Sequence, residues 1–258
     1  MRSKAAGRAR ALLVAATVVT LVGCATTLRE EARRAMESPA VDPLPVVATL
    51  EAMWDSIAPT KRIFGVTLVE GRRRFGGEGA VTFATDPRWL EAHVFGPHDT
   101  PILHVTLDED LLTVRLPREN ETLVGELGDP RFARLTGERA LVSPEILGAM
   151  IGAYDVERMI EGSERVVAAG DDGRRTLYIL EDGRVHALTI ATPTGPLVEY
   201  RQDRDDRPVY RVRFEEFEET GGRGSPRRIV LRDFVGDRYL VIDVKSEREA
   251  SEHEIGND

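Results

Sequence analysis

Between residues 64 and 244, apolar residues recur at every second position along many short stretches. Phe64, Val66 and Leu68 begin this pattern. Because neighbouring side chains of a β-strand point to opposite faces of a sheet, the period of two predicts strands with one apolar face. Turn residues separate the stretches, at Gly76-Gly77, Gly96-Pro97, Asp108-Glu109-Asp110, Asp182-Gly183 and Gly236-Asp237. Strands spaced this closely predict an antiparallel meander.

Few helices are predicted to cover the apolar face of that sheet. Residues 44–57 carry apolar side chains at helical spacing, and Ser143-Pro144-Glu145 has the residue types that start a helix. Two or three short helices are too few to cover about ten strands laid flat. We therefore predict one domain over residues 44–245 with a mainly β (α+β) fold. It is a curled antiparallel sheet, or half-barrel, of about ten strands, with two or three short helices covering its concave face.

Eight apolar residues of the meander share one phase and are predicted to point into the curled sheet. They are Val81, Phe83, Leu90, Val94, Leu103, Val105, Leu112 and Val114. Each of them suits an ordinary hydrophobic core. As a group they are also the candidate lining of an apolar ligand cavity. The sequence leaves both interpretations open.

The N-terminal region has the pattern of a secretory signal. Basic residues from Arg2 to Arg10 precede an uncharged run over residues 11–23, which is too short to remain as a membrane-spanning helix. The run ends in Leu21-Val22-Gly23-Cys24, which resembles the lipobox of bacterial lipoproteins. The resemblance implies cleavage after Gly23 and a diacylglycerol on the Cys24 thiol. The alternative is a plain signal peptide that ends near a buried cysteine.

Lipidation would divide the N-terminal part of the chain into two segments. Residues 1–23 are then the signal peptide, and residues 24–43 are the lipidated cysteine with a flexible tether. Acyl chains of the palmitate kind would hold the protein on a membrane. Ala25 resembles the residue that follows the cysteine in lipoproteins of the outer membrane, which implies the periplasmic face of that membrane in the cell envelope. At the other end, the acidic residues 246–258 are predicted to be disordered.

The charge and the cysteine count exclude several classes of function. The chain has 35 basic and 44 acidic residues, a net charge of −9. Removing the four basic residues of the signal leaves 31 basic residues and a net charge of −13. This balance disfavours nucleic acid as a partner. Cys24 is the only cysteine, so neither a disulfide within the chain nor a thiolate metal site is predicted once it is acylated.

No catalytic constellation stands out, so we predict a protein that is not an enzyme and has no cofactor. Nucleophile-elbow, P-loop, dinucleotide and zinc-protease motifs are missing from the sequence. His93 and His104 lie on neighbouring predicted strands and could face one another, as a metal pair or a general base. Solvated histidines on the outer face are the favoured interpretation, and no metal site is predicted. Asp108-Glu109-Asp110 lacks the spacing of a calcium loop.

The order of the predicted elements resembles the LolA/LolB fold of the periplasmic carrier and the outer-membrane receptor of lipoproteins. That order is an amphipathic helix, a five-strand meander, a helical insertion and closing hairpins. The local matches are residues 79–83 (GAVTF), 86–90 (DPRWL), 95–97 (FGP) and 143–147 (SPEIL). The resemblance implies binding of an acyl chain or a lipoprotein.

The chain departs from the family at one loop. In receptors of this family, the loop after the third strand carries an exposed apolar residue that helps to release cargo into the membrane. Here residues 96–101 (GPHDTP) include no large apolar side chain at His98 or Asp99. Either the apolar tip is absent or the alignment is shifted. The resemblance therefore implies binding of an acyl chain without implying insertion of lipoproteins.

Two functional hypotheses follow for a membrane-anchored lipoprotein. In the first, an apolar half-barrel cavity binds an acyl chain or a lipoprotein, and the protein acts in lipoprotein or lipid transfer at the outer membrane. In the second, the core is filled and the protein docks other proteins as a structural or accessory component. The predicted partners are the membrane, through the lipid on Cys24, an acyl chain or lipoprotein cargo, and a protein partner.

Overall fold

The computed structural model describes residues 26–38, 41–127, 129–133, 144–171, 173–191, 194–220 and 223–255. These residues form thirteen strands in one antiparallel sheet. The first six strands are β1 (Thr60–Glu70), β2 (Arg73–Thr85), β3 (Arg88–Phe95), β4 (Pro101–Asp108), β5 (Leu111–Leu116) and β6 (Glu121–Glu126). The others are β7 (Arg165–Asp171), β8 (Arg174–Glu181), β9 (Arg184–Ile190), β10 (Leu197–Arg204), β11 (Arg207–Thr220), β12 (Arg223–Asp233) and β13 (Arg238–Glu249).

The sheet consists of two meanders joined at the middle. Strand β1 pairs with β13, with Val66 opposite Ile242, and the spatial order is β6-β5-β4-β3-β2-β1-β13-β12-β11-β10-β9-β8-β7. Strands β6 and β7 are therefore the two edges of an open sheet. Every neighbouring pair other than β1 and β13 is also adjacent in sequence, which is the meander that the period of two predicted.

The described residues also form five α-helices. They are α1 (Leu28–Glu37), α2 (Leu44–Asp55), α3 (Pro130–Ala133), α4 (Pro144–Ile151) and α5 (Val156–Glu161). Helices α2, α4 and α5 contribute Leu50, Leu147 and Val156 to the main hydrophobic core on the concave face. The predicted curled sheet with helices on its concave face is confirmed. Residues 134–143, which include the predicted cap Ser143, lie outside the described residues.

The sheet has thirteen strands, not the predicted ten. Strand β6 was missed because it is an edge strand, and its side chains alternate only between half-buried and exposed. Val124 there is 47% exposed. An edge strand has little apolar surface to bury, so a strong period of two is not expected in its sequence.

The first turn of the meander was predicted at the wrong place. Gly76-Gly77 lies inside β2, and the chain turns at Gly71, which has a positive φ of 55°. A Cβ atom on Gly77 would lie 2.3 Å from the carbonyl oxygen of Phe95. The glycine is therefore needed for the close approach of β2 and β3, not for a turn.

The predicted flexible tether is wrong for residues 28–37, which form α1. Thr27 caps this helix by accepting a hydrogen bond from the Glu30 amide. Leu28, Ala32 and Ala35 recur at helical spacing and are buried against the convex face of the sheet. The segment is mostly charged and its apolar face is narrow, so its sequence suggests a tether more than a packed helix. Cys24 and the predicted signal lie outside the described residues.

Polar contacts tie α1 to strand β10. The Arg201 guanidinium donates two hydrogen bonds to the Glu31 carboxylate, at 2.7 and 3.0 Å. The Leu28 amide donates to Asp203 at 2.8 Å. Helix α1 thus covers the outer face of β7–β10, while α2, α4 and α5 cover the inner face. That section of the sheet is buried on both sides, which explains why every residue of β9 after Arg184 is buried.

The predicted disorder of the C-terminal residues is wrong for residues 246–255. Strand β13 extends to Glu249, and the Ala250 amide donates to the Pro59 carbonyl at 2.8 Å. Glu254 accepts hydrogen bonds from Lys61 and Arg248, both at 2.7 Å. Acidic composition suggested disorder, but Lys61 on the neighbouring strand and Arg248 within the segment bind Glu254. Within the described part of the chain, no helix has the length and apolar character to span a membrane.

Candidate functional site

A cavity of about 300 Å³ lies between the two arms of the curled sheet. Leu107 and Leu127 line it from the first arm, and His186 and Gln202 from the second. Helices α2, α4 and α5 close it with Trp54, Leu147, Ile151 and Met159. The volume is at the lower end of the range for small-molecule sites, roughly 300–1,000 Å³.

Three side chains that line this cavity have buried polar atoms without a partner. Gln202 is 2% exposed and His186 is 7% exposed. Gln202 Oε1, His186 Nε2 and Arg88 Nε accept or donate no hydrogen bond among the described residues. A buried polar atom without a partner costs about 1–3 kcal/mol. A ligand with polar atoms at one end would recover that free energy.

The His186 imidazole is neutral at physiological pH. Its Nδ1 lies 2.9 Å from the Tyr200 hydroxyl, while Nε2 is 3.7 Å from Glu181, too far for a hydrogen bond. Burial, helped by Arg184 and Arg204, lowers the pKa of His186 to about 4. The ring therefore offers the cavity a neutral nitrogen that can accept or donate one hydrogen bond, depending on its tautomer.

Charged groups of both signs surround the mouth of the cavity. Burial, reinforced by the Arg158 charge, lowers the pKa of Arg88, yet an arginine remains protonated in proteins. Arg158 is hydrogen-bonded to Asp110, which joins α5 to the β4–β5 turn. Other charged residues of the lining are Glu145, Asp155, Glu181 and Arg184. The lining combines apolar side chains with polar and charged ones, which suits an amphipathic ligand.

Two stacked tyrosines form part of the cavity wall. The Tyr154 and Tyr200 rings lie 4.4 Å apart between centroids, and the Tyr154 hydroxyl donates to the Glu145 carbonyl at 3.2 Å. Burial raises the pKa of both phenols well above the ordinary value. The two hydroxyls are therefore neutral hydrogen-bonding groups, and the rings are rigid apolar surface.

The eight residues predicted as cavity lining lie on the concave face, and each is at most 2% exposed. Val94, Leu103 and Val105 border a cavity of only about 10 Å³ beneath α4. Leu147 and Met150 of α4 close that cavity. The larger cavity lies beside this region, and it is lined by none of the eight. Ligand binding by these eight residues stays a prediction.

A buried arginine is hydrogen-bonded to the end of α4 and holds this helix over the concave face. Arg62 Nη1 donates to the carbonyl oxygens of Met150 and Ile151, at 2.5 and 2.9 Å. Its Nε pairs with Glu247 at 2.6 Å, and both side chains are at most 3% exposed. Arg62 is not among the predicted site residues, although it occupies the apolar phase of β1 two positions before Phe64. A charged residue at a position where its neighbours in the strand are apolar and face inward indicates a buried partner of opposite charge.

One group of side chains outside the cavity could hold a metal ion. His93 and His104 are directly opposite on β3 and β4 and do face one another, as the sequence allowed. Their Nε2 atoms and a carboxylate oxygen of Glu91 lie within 4.8 Å of one another. The loop at His98 and Asp99 is exposed and polar, and it follows the third strand as expected.

The curled sheet wrapped around helices defines the class of fold, and solved structures share it. A LolA superfamily protein from Nitrosomonas europaea has a TM-score of 0.59 and 13% identity over 84% of this chain and 99% of that chain. An outer membrane lipoprotein-sorting protein domain from Vibrio parahaemolyticus gives 0.61 and 9%, over 81% and 94%. A DUF1329 family protein from Desulfovibrio piger gives 0.61 and 15%, over 82% and 95%.

This chain therefore shares the LolA/LolB-like fold, as its order of elements suggested. No protein-family model and no curated protein matches the sequence. At such low identity the similarity concerns the fold alone, and the functional argument depends on the cavity.

The buried His186 predicts a pH-dependent loss of stability. Its pKa is about 4 in the folded protein and 6.5 in the unfolded chain, so only the unfolded state takes up this proton as the pH falls. The contribution of the neutral His186 to the free energy of unfolding is complete above pH 6.5 and is lost as the pH falls from 6.5 to 4. We expect about 2 kcal/mol less stability at pH 5 than at pH 7.5 from this group.

Urea unfolding of the wild type and of His186→Gln at both pH values measures this contribution. Glutamine does not titrate and can still bond to Tyr200. The pH-dependent difference should therefore be smaller in the variant by about 2 kcal/mol. An identical pH dependence in the two proteins would mean that His186 is protonated in the fold at its ordinary pKa.

Proposed function

We propose that this protein is a lipoprotein of the cell envelope that binds an acyl chain or a lipoprotein and is not an enzyme. The observation that carries the proposal is the cavity of about 300 Å³ between the arms of the sheet. The fold supports it, since similar domains include a LolA superfamily protein and a lipoprotein-sorting domain. The proposal includes a lipid anchor on Cys24 and a position on the periplasmic face of the outer membrane.

The distribution of polar groups in the cavity supports an amphipathic ligand. An acyl chain would contact Leu107, Leu147 and Met159, and each buried methylene contributes about 0.8 kcal/mol. Its polar end would bind beside Gln202 and His186, whose free atoms need partners. The eight inner-face residues would join the site if α4 moved outward, because α4 fills the space above Val94, Leu103 and Val105.

The dense packing of the inner face favours a second candidate function. Phe83, Leu90 and Leu112 are fully buried by the protein itself. A sheet filled in this way would serve as a rigid scaffold for docking protein partners, with no ligand. Native mass spectrometry with added lipid separates the two functions.

Native mass spectrometry tests the proposal on residues 25–258, exported with a plain signal peptide and purified without detergent. We expect adducts of lipid mass, or uptake of added fatty acid. Met159→Trp should reduce binding at least tenfold, because its indole fills the cavity from the half-buried side of α5. If the ligand buries two fewer methylene groups, binding is weaker by about 1.6 kcal/mol, which already corresponds to a tenfold loss of affinity.

Val124→Trp is the matched control, since Val124 is 47% exposed on β6 and does not line the cavity. It should bind as the wild type does. Gln202→Leu should weaken binding of fatty acid without filling the cavity, by removing a polar partner. A clean mass with no uptake of fatty acid or phospholipid would refute the carrier and leave the docking scaffold.

A further inference from the structure

We propose that Glu91, His93 and His104 form a binding site for a divalent transition-metal ion of the zinc and copper class on the convex face of β3 and β4. The site is separate from the cavity, because Ala92, Val94 and Val105 alternate with these residues and point to the concave side. The proposal does not depend on the proposed function.

The donor atoms already lie close to the positions that a metal ion requires. His93 Nε2 is 3.0 Å and His104 Nε2 is 2.9 Å from the same Glu91 oxygen. Bonds of about 2.0–2.1 Å at tetrahedral angles separate ligand atoms by roughly 3.3 Å. Small side-chain rotations would therefore be enough to admit an ion between the three donors.

The sheet itself orders these side chains. His93 and His104 are paired directly across the β3–β4 ladder, and their rings stack at 4.2 Å with an interplanar angle of 12°. Glu91 lies two residues before His93, so both side chains are on the same face. The buried residues on the other face hold both strands in place, so little conformational entropy is lost on binding.

The charges and protonation states suit a cation. Burial, opposed by the hydrogen bond to Glu91, lowers the pKa of His104, which favours the neutral form of the imidazole that binds metal ions. The groups that face the site are the Glu91 carboxylate, the two imidazoles and the Arg115 guanidinium, which is paired with His104 across β4 and β5. Arg115 is exposed and extends into solvent, where its charge is screened.

The donor set selects the class of ion. Two imidazole nitrogens and one carboxylate oxygen suit Zn²⁺, Cu²⁺ or Ni²⁺, whereas Ca²⁺ and Mg²⁺ prefer six or more oxygen ligands. Three protein ligands leave a coordination position for water or for a donor from a partner.

Calorimetric titration with ZnCl₂ and with CuCl₂ tests the site on the full chain, purified in mild detergent at pH 7.5 without a polyhistidine tag. We expect one saturable site per chain. His104→Ala, His93→Ala and Glu91→Gln should each lower the affinity by more than about tenfold. His253→Ala is the control, because this exposed histidine lies far along the chain on the C-terminal 3-10 turn, and it should leave the affinity unchanged.

An NMR measurement on the wild type removes any dependence on how the variants fold. Added Zn²⁺ should shift the imidazole Nε2 resonances of His93 and His104 and leave those of His253 in place. Unchanged affinity in His104→Ala, or resonances that do not move at saturating Zn²⁺, would overturn the proposal.

Discussion

Replacing Arg62 with alanine is expected to lower the free energy of unfolding by about 3–5 kcal/mol. Arg62 is 1% exposed, and its guanidinium contacts Glu247, Ser225 and the last two carbonyl groups of α4. It also lies 5.1 Å from the centre of the Phe83 ring. The variant would leave the Glu247 carboxylate buried without its main charge partner, which costs far more than the pair contributes.

A double variant separates the loss of the pair from the loss of packing. Arg62→Met with Glu247→Met removes both charges and keeps apolar volume, so it should be clearly more stable than Arg62→Ala. Urea unfolding followed by circular dichroism measures all three proteins. Equal destabilisation by the single and the double variant would mean that packing, not the unpaired charge, dominates.

Loss of Arg62 also has a local consequence for α4. The helix ends at Ile151, and Arg62 supplies hydrogen bonds for carbonyl groups that no helical amide reaches. Hydrogen exchange should therefore increase first in residues 144–151. Since α4 lies over the inner face and lines the cavity, Arg62 is one of the contacts that hold this helix in place over both.

Replacing Ala32 with aspartate is expected to detach α1 from the sheet without unfolding the domain. Ala32 is 0% exposed and lies in the cluster with Tyr178 and Ala187 on the convex face. A carboxylate there would be buried without a partner, at a cost of several kcal/mol. Because α1 is terminal to the sheet, the cheaper response is local release of the helix.

Hydrogen exchange followed by mass spectrometry measures that release. Protection of residues 28–37 should fall at least tenfold, while protection in β1 and β13 stays the same. Arg34→Asp is the matched control, since Arg34 lies two positions after Ala32, on the opposite side of the helix, and its side chain is 61% exposed. Global loss of protection in Ala32→Asp would show that α1 is an integral part of the fold. Unchanged protection would show that the site tolerates the charge.

Helix α1 shows why some elements cannot be predicted from the sequence alone. Its apolar face consists of Leu28 and two alanines within a stretch of charged residues. The surface that it covers, with Tyr178 and Val185, comes from residues about 150 positions later. An isolated helix of this length is marginal in water, so the sequence around it cannot reveal its stability.

The histidine pair illustrates the opposite case. His93 and His104 are separated by a short loop, and the register of a hairpin follows from its loop and its apolar pattern. Their juxtaposition could therefore be expected from the sequence. That Glu91 accepts hydrogen bonds from both rings depends on side-chain rotations, which only the three-dimensional structure provides.

By itself the sequence determined the fold class, the concave face and the order of elements, because the period of two is a local property of the chain. Tertiary structure decided where the free volume lies. Helix α4 fills the space beside Val94, Leu103 and Val105 of the predicted lining, and the larger cavity lies between the two arms of the sheet, where Leu107 and Gln202 line it. Free volume depends on how the curl of thirteen strands brings distant residues together, and no local pattern records that curvature.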